Sequence, residues 1–131
     1  MKLVLYKMAC LFDSLSVFLT NNHNPVTSYE LRQQICNYLS SNPNIMDDID
    51  INLITDVMYN KPIDNYISDM RNNNTWGSAI EIKAFCEIYD IKIVVLYNSN
   101  NIEFIPSNPF EYIIYLNYTG NHYTPNKIVS V

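Results

Sequence analysis

SAIEIKAFCEIYDIKIVVLY, residues 78–97, carries the two signals that set the architecture. Ser78-Ala79-Ile80-Glu81 is a capping box, in which the serine hydroxyl and the glutamate carboxylate each satisfy an amide that a helix's first turn leaves unpartnered. Ile82, Phe85, Cys86 and Tyr89 then fall on one helical face, so the spacing predicts a helix to about Tyr89. Ile91 to Tyr97 follows as a β-branched run that is apolar on both faces, which suits a central strand rather than a surface one.

Upstream of this stretch the periodicity is helical. Leu11, Phe12, Leu15, Phe18 and Leu19 mark one buried face of a helix whose first turn contains Cys10. A second capping box, Thr27-Ser28-Tyr29-Glu30, opens a helix that buries Leu31, Ile35, Tyr38 and Leu39, and Pro43 bars its continuation. Residues 49–58 read as a short helix, and Ile63, Tyr66, Ile67 and Met70 form another apolar stripe, broken by the Asn72–Gly77 segment. Downstream the signals are strand-like: Ile102–Ile105, Tyr112–Tyr118, and a last strand starting near His122 after the tight connection Thr119-Gly120-Asn121. The expected fold is α/β or α+β, a small C-terminal β-sheet flanked by helices, organised as a single domain over residues 1–131.

Composition narrows the function classes. Hydrophobic residues make up 48% of the chain and charged ones only 16%, which supplies a packed interior and does not fit a disordered chain. A net charge of −5 opposes long-range attraction to phosphate backbones or anionic lipids, so neither nucleic acid nor a membrane is an expected partner. No run approaches the ~20 apolar residues needed to cross a bilayer. The start resembles a secretory signal only superficially, because Lys7 and Asp13 interrupt it and a small-residue cleavage pattern is missing. Cys10, Cys36 and Cys86 lack metal-type spacing, so no disulfide framework, zinc site or other cofactor is indicated, and a reducing, cytoplasmic setting is expected. The Asn-, Ile- and Tyr-rich composition with two arginines suggests an AT-rich genome, and with the small size it suits a viral or parasite origin, acting in the host cytoplasm.

The residues that could carry chemistry stand at opposite ends of the chain. A thiol at a helix N-terminus, as at Cys10, feels the partial positive charge of unpaired amides, which favours the thiolate that a nucleophile requires. His122, at the entry of the last strand, is a candidate proton acceptor for it. Cys36 and Cys86 lie within apolar helical stripes and read as core, while His23 reads as solvent-facing.

The segment Cys10-Leu11-Phe12-Asp13-Ser14-Leu15-Ser16 resembles the nucleophile segment of the ovarian-tumour (OTU) family of cysteine proteases, most of which are deubiquitinases. Glu30-Leu31-Arg32, Tyr66–Met70, Thr75-Trp76-Gly77-Ser78, Ile91–Val95 and Asn121-His122-Tyr123 resemble its later segments in order, so that the similarity runs over residues 8–126. The resemblance implies a papain-like fold with Cys10 as nucleophile and His122 as general base, acting without a metal or cofactor on the bond after the C-terminal glycine of ubiquitin or a ubiquitin-like modifier. It further implies an oxyanion site made by backbone amides of Lys7, Met8, Ala9 and Cys10, and Trp76 and Tyr123 as walls for ubiquitin's glycine tail. The other readings are a silent ubiquitin-binding module and a viral polyprotein protease of the same fold. A monomer is expected.

The sequence departs from the family pattern at two places. Lys7-Met8-Ala9 stands where the family usually has Asp-Gly-Asn or Asp-Gly-Asp, which removes a conformationally permissive glycine and a carboxylate. Thr124 stands where an Asp or Asn often orients the histidine. Strand alternation puts Thr124 on His122's side at about 6.6 Å along the chain, and Asn126 on that side about 13 Å away. Thr124 is favoured by reach, and Asn126 could substitute if the strand bulges at Pro125.

Overall fold

The computed structural model describes residues 10–21, 25–42 and 60–131. Among these residues there are four helices, α1 (Cys10–Asn21), α2 (Ser28–Ser41), α3 (Ile63–Met70) and α4 (Ala79–Tyr89). Four strands follow, β1 (Lys92–Tyr97), β2 (Asn100–Phe104), β3 (Tyr112–Tyr118) and β4 (Tyr123–Ser130). Both expected capping boxes are formed, Thr27 with Glu30 ahead of α2 and Ser78 with Glu81 ahead of α4. The helix expected over residues 49–58 lies outside the described residues, as does His23.

The strands form one mixed sheet in the order β2-β1-β3-β4, with β1 parallel to β3 and the two outer pairs antiparallel. β1 is internal, as its two-sided apolarity requires: Ile93, Val94 and Val95 are buried in succession. β2 begins two residues earlier than the apolar pattern alone predicts. Asn98, at φ 55°, and Ser99 form a two-residue turn that pairs Tyr97 with Asn100, so polar asparagines enter the edge strand.

β4 contains a bulge. Leu116 pairs with Pro125 but Tyr115 pairs with Lys127, which leaves Asn126 as the extra residue. The hydrophobic pattern explains it, because Tyr123 and Ile128 both pack toward the core and are separated by an odd number of steps that strict alternation cannot serve. The core itself joins Leu11, Phe12 and Leu15 of α1 with Leu31 and Ile35 of α2, Ile82 and Phe85 of α4, and Ile93, Ile114 and Leu116 of the sheet. α1 packs on β4, and α2 touches α1, α3 and α4. No helix among the described residues is long and apolar enough to cross a membrane.

Candidate active site

Cys10 is the first residue of α1, and its helix is aimed by apolar packing: Leu11, Phe12 and Leu15 are fully buried. Ser14, one turn on and on nearly the same helical face as Cys10, donates its hydroxyl to the Tyr123 carbonyl at 3.3 Å across 109 residues of sequence. The nucleophile helix is thereby fastened to the residue next to His122. Lys7, Met8 and Ala9 lie outside the described residues.

His122 is half-buried and sits at the end of the Gly120-Asn121 turn, whose closure is the Thr119 amide donating to the His122 carbonyl at 3.1 Å. Gly120, at φ +107°, occupies a conformation that a side chain would strain. The Tyr118 hydroxyl donates to the Gly120 carbonyl at 2.7 Å, and the Tyr118 ring stacks on Tyr123 with centroids 4.3 Å apart. Tyr123 is thus half-buried against the core, with its ring on the face away from Thr124. On that other face the Asn117 amide donates to Thr124 Oγ1 at 3.3 Å, and the Asn126 amide donates to Asn117 Oδ1 at 3.0 Å. The bulge that the sequence reading made a condition for Asn126 is present, and Asn126 meets Asn117 rather than standing alone.

Trp76 is 49% exposed, on a loop that two buried ionisable side chains brace from below. Arg32, 1% exposed, donates Nη1 to the carbonyls of Met70 and Thr75, each at 2.8 Å, and stacks its guanidinium 4.1 Å from the Phe12 ring centroid. Glu81 is fully buried and accepts from the Ser78 amide and hydroxyl, both at 2.7 Å, and from the Tyr66 hydroxyl at 2.8 Å. Burial pushes its carboxyl above the ordinary range, against those hydrogen bonds. Gly77 lies directly on α1: a Cβ there would stand 2.4 Å from Leu11 Cδ2 and 3.1 Å from Phe12 Cε2. Trp76 also walls a cavity of about 320 Å³ with Tyr66, Met70 and Thr75, rimmed by the Lys61–Asp69 ion pair.

The fold therefore gathers three of the segments singled out from sequence around one turn of α1. The Trp76 loop packs on its Leu11 and Phe12 side, and the His122 hairpin meets Ser14. Among the described residues no three His, Cys, Asp or Glu side chains are grouped as a metal site. Cys36 and Cys86 are buried, and burial raises their thiols to about 11 and about 12. They are core residues.

Residues 9–123 match the family model described as OTU-like cysteine protease. The chain belongs to that family. Among similar sequences, the Tipula iridescent virus protein L96 is 29% identical over 125 residues, 88% of this chain and 14% of that protein. Ubiquitin thioesterase otu2 of Schizosaccharomyces pombe is 26% identical over 123 residues, 87% of this chain and 40% of that protein. The chain thus spans well under half the length of either relative. Its OTU fold superposes on a solved OTU domain in complex with ubiquitin at a TM-score of 0.72 and 20% identity, covering 92% of this chain and 64% of that one.

Arg32, Ser14 and Asn117 are the site's supports that composition and spacing do not flag, whereas Glu81 is legible as the capping-box carboxylate but not as a partner of Tyr66. For Arg32 a signal exists: it stands beside Leu31 and four residues before Cys36 on the buried stripe of α2, where a cation needs partners. Ser14 likewise sits inside α1's apolar face, 3% exposed, and therefore needs an acceptor.

Proposed function

We propose that the chain is a thiol-dependent deubiquitinase with Cys10 as nucleophile and His122 as general base. The observation that carries the reading is the Ser14–Tyr123 hydrogen bond, which fastens the first turns of the Cys10 helix to the residue beside His122. The ubiquitin thioesterase name of the fission-yeast relative and the ubiquitin-bound OTU domain of similar fold support the substrate class. The acidic balance of −5 suits a basic partner surface and would steer encounter more than fix affinity.

In this reading the amides at the start of α1 favour the Cys10 thiolate, and His122 takes the thiol proton. The sulfur attacks the carbonyl of ubiquitin's terminal glycine, and the C–O double bond opens to an oxyanion received by backbone amides of Lys7, Met8, Ala9 and Cys10. The oxyanion then collapses, the C–N bond breaks, and His122 delivers its proton to the departing lysine amine. Water, deprotonated by His122, attacks the resulting thioester and releases the carboxylate and the Cys10 thiol. Thr124 orients the imidazole, with Asn126 as the alternative. Trp76, exposed on its braced loop, and Tyr123 flank the glycine tail.

A ubiquitin probe carrying a C-terminal electrophile tests the reading. Labelling of the wild-type chain that disappears in Cys10→Ala is the expected result, and folded protein that stays unlabelled would overturn it.

A further inference from the structure

The outer face of the β3–β4 hairpin carries a polar chain with a direction. Tyr118 pairs with Tyr123 and Asn117 with Thr124, while Thr119 bonds to His122, so the ladder runs in register through the turn. The Tyr118–Tyr123 stack occupies one face, and alternation puts Asn117, Thr119, His122 and Thr124 on the other. The bulge adds Asn126 to this second face. Asn117 is bonded at both ends of its amide, accepting from Asn126 at 3.0 Å and donating to Thr124 at 3.3 Å.

From this juxtaposition we infer that Asn117 is a positioning residue for His122, acting through Thr124; the inference rests on His122 being the general base. A threonine O–H turns readily about its C–O bond, and as a neutral group the hydroxyl holds an imidazole less firmly than a carboxylate does. Engaging one lone pair with Asn117 fixes that hydroxyl in one rotamer and leaves the other lone pair and the proton for the same-face neighbour, His122. Asn126, which bulging places beside Asn117, fixes the amide in turn. Three uncharged residues in series thus do the orienting work of a single acid, and the hub is on β3 rather than on the strand that follows the histidine. A purely structural role, as an ordinary cross-strand Asn–Thr pair, would add modestly to sheet stability and leave the imidazole indifferent to its loss.

Two readouts on the full chain separate these roles. The ring-nitrogen chemical shifts of His122, located with a His122→Ala control, report which nitrogen carries the proton. One dominant tautomer is expected in the wild type, and tautomer averaging in both Asn117→Ala and Thr124→Val. Unchanged ring shifts in Asn117→Ala would overturn the inference whether or not the chain labels. The second readout is the rate of labelling by the ubiquitin probe, expected to fall about tenfold in each single variant, a part of the roughly 10²–10⁴-fold that a general base contributes. The double variant should fall no further, and a multiplicative loss of about a hundredfold would show that Asn117 does not act through Thr124. Thr124→Ser, which keeps the hydroxyl, should restore the wild-type ring shifts and rate if the fold is intact. Failure of the wild type to label would instead sink the deubiquitinase reading, while the ring shifts still decide the role of Asn117.

Discussion

The loop carrying Trp76 is fastened from inside the protein, whereas the turn carrying His122, apart from its bond to the buried Ser14, is fastened from its surface. Beneath Trp76 the buried Arg32 and Glu81 bind loop backbone and side chains, and neither is exposed to water. Around His122 the ties beyond the Ser14 bond to Tyr123 are a hydroxyl on the exposed Gly120 carbonyl, an aromatic stack and a largely exposed amide network. A buried polar group that loses its partner bears the whole desolvation penalty, while an exposed one finds water. The contrast gives one half of the site rigidity by necessity and leaves the other half adjustable.

The largest test of this contrast is Arg32→Met. It orphans the Met70 and Thr75 carbonyls and removes the cation from the Phe12 ring, so a loss of about 3 kcal/mol or more is expected in urea unfolding. A loss under about 1 kcal/mol would mean the loop is not held from within. Gly77→Ala comes next, at about 1–3 kcal/mol, because its Cβ overlaps the buried Leu11 side chain. Since Leu11 adjoins Cys10, probe labelling should fall by more than the stability change accounts for.

Glu81→Gln should act mainly through pH. Burial raises the Glu81 carboxyl, so the folded chain holds this proton to higher pH than the unfolded chain does. Its contribution to stability is therefore greatest in acid and is lost as pH rises from the ordinary carboxylate range through the raised value. Unfolding midpoints measured across that window should vary less with pH in the glutamine variant, and an identical dependence would contradict the assignment. The smallest effect belongs to the hairpin. Tyr118→Phe removes the exposed bond to Gly120 but keeps the stack on Tyr123, and should cost about 0.5–1 kcal/mol in the same unfolding experiment.

What could be read from sequence followed the strength of local signals. Two capping boxes and the two-sided run at β1 placed α2, α4 and the sheet's centre correctly, because each is decided by residues within a turn or two. The start of β2 was hidden because Asn100 and Asn101 have weak strand preference and pair only through the Asn98-Ser99 turn. The β4 bulge was legible only as a condition at Pro125, although the spacing of Tyr123 and Ile128 encodes it. The supports of the site stayed out of view for a different reason. Arg32 to Thr75 and Ser14 to Tyr123 are contacts made by tertiary packing, and no local pattern specifies a partner 43 or 109 residues away, while Asn117 to Thr124 depends on the register of the β3–β4 hairpin.

The account turns on Cys10 and His122 forming one chemical unit, and alkylation of Cys10 by a small thiol reagent across pH measures this directly. Cys36 and Cys86 stay silent near neutrality, since burial holds their thiols at about 11 and about 12. Cys10 is expected to react well below the ordinary thiol range of about 8.5, and His122→Ala should return it to that range. A Cys10 that titrates as an ordinary thiol, unchanged by His122→Ala, would contradict the account.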